Sequence, residues 1–384
     1  MLKDSIMLLC VTKTHPLRKL RIIKKRGDFL EKVLRAISHF DVTIEPETCA
    51  PFGGGHINDT YIISSKTGEK YVVQAINTNV FKNPEQIMDN IRLVSEHIIK
   101  KTGGCNAVMH FIPTKSGRYY HPDKENRFWR IYRFVPAICL DFPENEQDFY
   151  ECAYAFGEFQ KNLSDFPAEK LFETIPDFHN TPKRFKNFLR AVEEDKMGRA
   201  ASVQAEIEFI KNREEFYSVL FQNFEEGKLP LRVTHNDTKS NNVLLHPETR
   251  KALCVIDLDT IMPGFSVNDF GDAIRFGAST ATEDEKDLDK VTMSLPMFKA
   301  YAEGFLAGVD GLLKDSEIEL LPEGAKMMTV ECGIRFLTDY LEGDTYFKTS
   351  YEGQNLDRCR TQLKLVSDME AKWDEMKKIV RSFI

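Results

Sequence analysis

The amino-acid sequence predicts an α+β fold, with a β-rich N-terminal lobe followed by a mainly α-helical C-terminal lobe. Short apolar runs separated by turns fill the chain up to about residue 140, whereas apolar residues at helical spacing dominate the region after it. These two periodicities distinguish strands from helices. The expected division is a basic extension at 1–27, an N-terminal lobe at 28–140 and a C-terminal lobe at 141–384.

The N-terminal lobe begins with sequence typical of an antiparallel sheet. The runs Val42–Ile44 and Thr60–Ile63 flank the turn-rich stretch Pro51–His56, and a tight turn leads on to Tyr71–Ile76. Strands joined by short turns pair in antiparallel fashion. Further strand-like runs follow at 109–113 and 128–135.

One amphipathic helix is expected between these strands. Asn83 and Pro84 offer an N-cap and a first helical residue, Gln86 is placed to complete a capping box, and Gly103 ends the pattern. Its apolar face consists of Ile87, Ile91, Val94 and Ile98. Helical spacing returns over 145–223 and again over 284–384, which predicts the helical C-terminal lobe.

The composition excludes several classes of protein. The eight cysteines are scattered, without a CxxC motif or a short Cys/His spacing, so neither a zinc site nor a disulfide scaffold is expected. Residues 1–27 carry a local charge of +7, which leaves −14 on the rest of a chain whose net charge is −7. An acidic body of this kind is a poor surface for nucleic acid.

No apolar stretch reaches membrane-spanning length, and the run Ile6–Val11 is too short for the core of a signal peptide. We therefore expect a cytoplasmic monomer with reduced thiols, no membrane partner, and a poorly ordered N-terminal extension.

The segment 231–259 contains polar residues in a pattern that suits phosphoryl transfer. An apolar run leads to an HxDxxxxN loop formed by His235, Asp237 and Asn242, and a later apolar run ends at Asp257. Such a transfer needs a base for the acceptor hydroxyl and ligands for the magnesium that neutralises the phosphates. We expect Asp237 to be the base, Asn242 and Asp257 to bind Mg²⁺, and Lys239 to reach the γ-phosphate of ATP. His235 would brace the loop.

Two further acids lie close to this segment. Asp269-Phe-Gly copies the letters of the protein-kinase metal motif, but it lies outside the apolar run that ends at Asp257. We therefore expect Asp269 to hold the catalytic loop by hydrogen bonds. Asp259 should point to the same side as Asp257, either as an indirect support of the metal or as a solvated carboxylate.

Two features of the N-terminal lobe concern the nucleotide. The glycines Gly53, Gly54 and Gly55 allow a close backbone approach to phosphates, although three glycines also form ordinary turns. Gln74 occupies the strand position where a protein kinase has its phosphate-binding lysine, and an amide does not neutralise a phosphate. Three explanations are open: another cation neutralises the phosphates, magnesium neutralises more of their charge, or the nucleotide site is inactive.

The motifs resemble a known family. The loop His235–Asn242 and the strand Ile256–Asp259 resemble the aminoglycoside phosphotransferase and choline kinase superfamily, which has the two-lobed protein-kinase-like fold. Over residues 28–380 the chain is similar to the N-acetylhexosamine 1-kinase family. This closer resemblance rests on the segments Gly53–Tyr61, Val255–Gly264, Asp269–Thr280 and Glu331–Asp344.

The resemblance implies phosphorylation of the anomeric C1 hydroxyl of N-acetylglucosamine or N-acetylgalactosamine, with ATP as co-substrate and Mg²⁺ as cofactor. It implies a nucleotide-binding N-terminal lobe, a catalytic C-terminal lobe, and sugar contacts from His56, Arg335 and Tyr346. Each of these three also has an ordinary structural interpretation, as a loop histidine, an ion-pair arginine and a half-buried tyrosine.

Two alternatives remain open at this point. One is a kinase of another small alcohol, such as an aminoglycoside, choline, homoserine or a different sugar, and the other is a catalytically inactive nucleotide-binding module. A carboxylate-rich acceptor site would favour the cationic acceptors.

Overall fold

The computed structural model describes residues 26–52, 58–78, 81–104 and 108–384, with side chains from residue 30 onward. The described residues form two compact units. The first contains the chain up to Asp141 together with Leu244–Asp259, and the second contains Phe142–Val243 and Thr260–Ile384. The predicted extension lies outside the described residues except for Arg26 and Gly27, which begin a helix.

The predicted α+β class is confirmed: the N-terminal region is built on a β-sheet and the C-terminal region is helical. The described strands are β1 (Pro46–Pro51), β2 (Asp59–Ser65), β3 (Lys70–Ile76), β4 (His121–Pro122), β5 (Phe128–Arg133), β6 (Ile138–Cys139), β7 (Arg232–Thr234), β8 (Val243–Leu245), β9 (Ala252–Val255) and β10 (Met262–Gly264). The main sheet of the first unit has the order β1-β2-β3-β5-β4 and is antiparallel throughout.

The first strand differs from the expectation. Strand β1 spans Pro46–Pro51, whereas Val42 and Ile44 precede it and pack, partly buried, against the core of the first unit. A proline at each end suits an edge strand, because proline has no N–H to donate to a neighbour. The expected strand at 109–113 is reduced to a single bridge between Phe111 and Tyr132.

The expected amphipathic helix is present. Helix α1 (Arg26–Ile37) precedes the sheet, and helix α2 (Pro84–Thr102) begins at the expected proline and ends at Gly103, whose φ of 66° is left-handed. The predicted cap is wrong in one respect, because the side chain of Asn83 makes no capping hydrogen bond. The buried face of α2 includes the four predicted apolar residues.

The second unit is helical. Its helices are α3 (Glu146–Asn162), α4 (Thr181–Glu194), α5 (Gln204–Lys211), α6 (Val219–Glu225), α7 (Ser266–Gly277), α8 (Leu295–Val309), α9 (Asp315–Glu319), α10 (Leu321–Glu342), α11 (Gln354–Ala371) and α12 (Trp373–Arg381). Helix α3 packs along α8, while α10 packs against α4, α7 and α11.

Two observations concern the expected environment of the protein. Among the described residues, no helix combines the length and the apolar character needed to cross a bilayer. No disulfide joins the six cysteines in the described part of the chain, and four of these side chains are buried.

Candidate active site

The HxDxxxxN segment forms a loop that begins at the end of strand β7. This short strand pairs with β10, and the loop closes in a helical turn at Ser240–Asn242. His235 is completely buried, and its ring packs edge-on against Phe156 and Phe159 of α3. The start of the loop is thus fixed in the core of the second unit.

Two aspartates of helix α7 hold the backbone of this loop. The carboxylate of Asp269 accepts hydrogen bonds from the backbone N–H groups of His235, at 2.9 Å, and Asn236, at 2.7 Å. One turn later, Asp272 accepts from the backbone N–H of Thr238 at 3.0 Å. The structure therefore gives Asp269 the loop-holding position that we predicted. The sequence analysis missed Asp272, although its spacing of three residues from Asp269 places both on one helix face.

The residue before the predicted base has an unusual backbone conformation. Asn236 has a φ of 64°, in the left-handed region that asparagine tolerates better than most residues. Its side chain is fixed at both ends, accepting from the hydroxyl of Thr234 at 3.0 Å and donating to the carbonyl of Thr260 at 2.9 Å. The conformation that orients Asp237 is therefore supported from both sides.

Asp237 lies between a cation and an amide. Lys239 Nζ lies 2.9 Å from Oδ1, and the amide nitrogen of Asn242 donates to Oδ2 at 3.1 Å. Burial alone would raise the pKa of Asp237, but Lys239 and Asn242 outweigh burial and hold the pKa below its usual value. Asp237 is therefore ionised at neutral pH, as a proton acceptor must be.

Lys239 contacts the base in this structure. The Asp237 carboxylate raises the pKa of Lys239, so the ammonium stays charged. Its side chain is 33% exposed, which leaves it open to solvent on one side. The expected contact with a γ-phosphate remains a prediction.

The two predicted magnesium ligands offer suitable donor atoms. Asn242, in the second unit, uses its NH₂ group on Asp237, which leaves its amide oxygen as the group able to bind a cation. Asp257, in the first unit, follows strand β9 with a φ of 59°. Among the described residues, no three His, Cys, Asp or Glu side chains are grouped as a metal site. Amide and carboxylate oxygens are among the donors that magnesium takes from proteins, so each of the two residues by itself has a suitable donor. Their joint binding of Mg²⁺ remains a prediction.

Asp259 is not a solvated carboxylate, so that alternative is wrong. Its side chain is 3% exposed and forms an ion pair with Arg130, which is equally buried. Arg130 also donates to Gln74 Oε1 at 2.9 Å, and Gln74 donates in turn to the hydroxyl of Thr60 at 3.0 Å. Both ends of the Gln74 amide are thus engaged within the first unit.

The predicted sugar contacts are described only in part. His56 and the glycines Gly53, Gly54 and Gly55 lie outside the described residues. Arg335, on helix α10, has its guanidinium 5.9 Å from the ring centre of Tyr346 and 5.5 Å from that of Phe178. Tyr346 is 64% exposed, so one side of this group faces solvent. The structure brings Arg335 and Tyr346 together, and their contact with a sugar remains a prediction.

Three residues near Arg335 were missed by the sequence analysis. Glu331, one turn before it on α10, accepts from Thr181 at 2.6 Å and lies 2.9 Å from His179 Nδ1. The other ring nitrogen of His179 is buried and has no partner. Burial and the nearby Arg335 lower the pKa of Arg184. The four-residue spacing of Glu331 and Arg335 could have indicated that both lie on one face of a helix. His179 and Arg184 come from a distant part of the chain, and no local pattern connects them to this face.

Comparison with known proteins identifies the family. Residues 48–299 match the model of the phosphotransferase enzyme family, which is well over half of the chain. The chain belongs to this family. The predicted superfamily is therefore confirmed at the level of a small-molecule phosphotransferase.

Several solved structures share the fold at low sequence identity. One is an aminoglycoside phosphotransferase from Alicyclobacillus acidocaldarius (12% identity, TM-score 0.59, covering 91% of this chain and 96% of that one). Another is a choline kinase from Cryptosporidium parvum (13% identity, TM-score 0.58, 92% and 98%). A third is a microcompartment-associated aminopropanol kinase (14% identity, TM-score 0.56, 91% and 98%). At these identities the likeness shows the fold and does not select an acceptor.

Proposed function

We propose that this phosphotransferase transfers the γ-phosphoryl group of ATP to the C1 hydroxyl of an N-acetylhexosamine, giving the sugar 1-phosphate and ADP. The observation that carries the proposal is the ionised Asp237, whose carboxylate is held by Asn242 and Lys239. The backbone of its loop is fixed by hydrogen bonds to Asp269 and Asp272. Such rigid placement of a base is what an in-line transfer requires.

In this mechanism Asp237 accepts the proton of the sugar hydroxyl. The hydroxyl oxygen forms a bond to the γ-phosphorus, and the bond from that phosphorus to the bridging oxygen of ADP breaks. Because both Asp237 oxygens have partners in the structure, the sugar hydroxyl must replace or share one of them. Lys239 is the mobile partner, because its side chain is partly exposed whereas Asn242 is buried.

Lys239 and the proposed metal ligands serve the phosphates. The attacking oxygen lies next to both the base and the γ-phosphate, so an ammonium already placed on Asp237 has only a short distance to move. When bound through Asn242 and Asp257, Mg²⁺ would neutralise charge on the phosphates. The phosphate role of Gly53, Gly54 and Gly55 is part of the same proposal.

The charges around Arg335 favour a neutral acceptor over a cationic one. Arg335 and Arg184 are each attracted to the Glu331 carboxylate and repel each other, and this carboxylate is already engaged by His179 and Thr181. Two guanidinium groups close to one engaged carboxylate would disfavour the ammonium group of choline or of an aminoglycoside there. A hydroxyl or an acetamido oxygen would instead find donors in Arg335 and Tyr346.

The test is acceptor-dependent release of ADP with Mg²⁺ and ATP. The panel contains N-acetylglucosamine, N-acetylgalactosamine, unmodified hexoses, choline, homoserine and an aminoglycoside. Asp237→Asn should lower kcat by at least about 100-fold, because it removes the proton acceptor at constant shape. Asp310→Asn is the matched control, since Asp310 is an exposed aspartate paired with Lys161 at the end of helix α8.

The outcomes separate the alternatives. Formation of a sugar 1-phosphate from N-acetylhexosamines, lost in Asp237→Asn and kept in Asp310→Asn, supports the proposal. Turnover of a different acceptor alone would retain the mechanism and reject the substrate. Binding of ATP without turnover of any acceptor would leave the inactive nucleotide-binding module as the better explanation.

A further inference from the structure

The position of Gln74 raises the question of which cation replaces the strand lysine of protein kinases. Gln74 lies on β3 and its Cα partner on the neighbouring strand β5 is Arg130. Arg130 is 2% exposed, so it is a charged residue in the interior of the first unit. A buried guanidinium without partners would be strongly destabilising, and its contacts therefore define its role.

All three nitrogens of this guanidinium are engaged. Nη2 donates to Asp259 Oδ2 at 3.0 Å, Nη1 donates to Asp259 Oδ1, and Nε donates to Gln74 Oε1 at 2.9 Å. The ring of Phe111 lies 5.7 Å from the guanidinium carbon. The two parallel bonds to Asp259 are the bidentate geometry in which arginine is most specific. With the contact of Nη1 to Met88 Sδ at 3.8 Å, four of the five N–H donors are used, and a side chain that is 3% exposed directs its charge to Asp259 and not to solvent.

The ion pair connects two functional segments of the first unit. Asp259 lies two residues after Asp257, the proposed magnesium ligand. Asp259 Oδ2 also accepts from the amide of Asn58 at 2.8 Å, and Asn58 Oδ1 accepts from the backbone N–H of Asn77 at 3.0 Å. Asn58 follows the glycine segment in the sequence. Through a single carboxylate, Arg130 therefore reaches the turn that carries Asp257 and also Asn58, which follows Gly55 by three positions in the sequence.

We propose that Arg130 and Asp259 are positioning residues for Mg·ATP. Arg130 lies opposite Gln74, the position of the strand lysine in protein kinases, but it binds Asp259 and does not contact a phosphate. The pair fixes the turn that carries Asp257 and holds the side chain of Asn58 through Asp259. This inference rests on the proposed function, because Asp257 is a magnesium ligand only within it. Gln74 follows from the same arrangement, since a lysine there would place a second cation against Arg130.

The main competing explanation is that the pair only stabilises the first unit. Arg130→Met leaves Asp259 buried without its cation and should both destabilise the protein and weaken Mg·ATP binding. Arg130→Met combined with Asp259→Leu removes both charges at similar volume, and such replacements often restore stability. In this double variant we expect stability to recover while the Kd for Mg·ATP stays at least about tenfold higher than in the wild type. Losses of this size are typical when a residue that orients a metal ligand is removed.

The measurement is calorimetric titration of Mg·ATP into the full-length chain without acceptor, together with urea unfolding. The matched control is Arg213→Met with Glu370→Leu, which removes another bidentate pair, with bonds of 2.9 and 2.7 Å, in the helical unit. It should leave the Kd within about twofold of the wild type. In the assay of ADP release, the Arg130 variants should have a higher KM for Mg·ATP and an unchanged KM for the sugar.

A third variant covers the case in which the double variant does not fold. Arg130→Lys keeps the charge on Asp259 but loses the bidentate geometry and the bond to Gln74, and it should weaken Mg·ATP binding at least about threefold. Wild-type affinity in a folded double variant, or in Arg130→Lys, would overturn the positioning role. Failure of the wild-type chain to bind Mg·ATP would instead reject the proposed function.

Discussion

At the scale of single residues, the candidate site depends on backbone conformations that few side chains adopt. Asn236, before the base, and Asp257, the proposed metal ligand, have φ values of 64° and 59°. Asparagine and aspartate are the residue types that most readily tolerate the left-handed region without glycine's flexibility. Asn236 thus combines a turn that orients the base with a side chain that stabilises this turn through Thr234 and Thr260.

A pair of substitutions at Asn236 separates these two contributions. Asn236→Gly and Asn236→Ala both remove the hydrogen bonds to Thr234 and Thr260, but only glycine adopts a positive φ without strain. We expect Asn236→Ala to be less stable than Asn236→Gly by about 1 kcal/mol and to have the lower kcat. Urea unfolding and initial rates measure the two effects. Equal stability of the two variants would show that the loop relaxes to another conformation.

At the scale of secondary-structure elements, helix α7 connects the catalytic loop to the core. Its first turns hold the loop through Asp269 and Asp272, and its opposite side packs on α10. The two backbones meet at Gly271 and Gly324, where a Cβ on Gly324 would overlap the carbonyl oxygen of Val267. The position of the base therefore depends on a close helix contact that only glycine permits.

Replacement of Gly324 tests this contact. Gly324→Ala should destabilise the protein by about 1 to 3 kcal/mol, because backbone atoms must move apart, and should lower kcat by displacing α7. Gly333→Ala in the same helix is the control. A Cβ at Gly333 would meet Leu363 Cδ2 at 3.1 Å and Gln362 Cβ at 3.3 Å, which requires shifts of only a few tenths of an ångström, so this change should cost less than about 1 kcal/mol. Similar losses in both variants would contradict the packing argument.

Elements with a clear local pattern were predictable from the sequence. The apolar face of α2 and the strands predicted at 60–63, 71–76 and 128–135 are confirmed, the last of them ending at Arg133, because their periodicity reflects one buried face. Strand β1 was misplaced at Val42–Ile44 because the prediction rested on apolar residues alone, whereas an edge strand tolerates polar residues and a proline at each end. The predicted capping box failed because capping depends on a side-chain rotamer that the sequence does not specify.

At the scale of the whole molecule, contacts between residues that are far apart in the chain could not be predicted from the sequence. The motif at 235–257 was found because its functional residues are close in sequence, and the outcome for Asp269 agrees with the expectation. Arg130 and Asp259 are separated by 129 positions, and neither has a local pattern that indicates the other. His179 and Glu331 were missed for the same reason, being 152 positions apart.

The discontinuity of the first unit leads to a prediction about its folding. Strands β8 and β9 and the counter-ion of Arg130 come from 244–259, far from the rest of the unit. A fragment of residues 26–141 would therefore bury Arg130 without a carboxylate, and it should show no cooperative unfolding in urea. Joining 244–259 to the fragment through a flexible Gly/Ser linker should restore a cooperative transition. The same fusion with Asp259→Asn should be less stable by about 3 kcal/mol or remain unfolded. Cooperative unfolding of the short fragment alone would show that the N-terminal sheet is sufficient and that the Arg130 pair is not required for its folding.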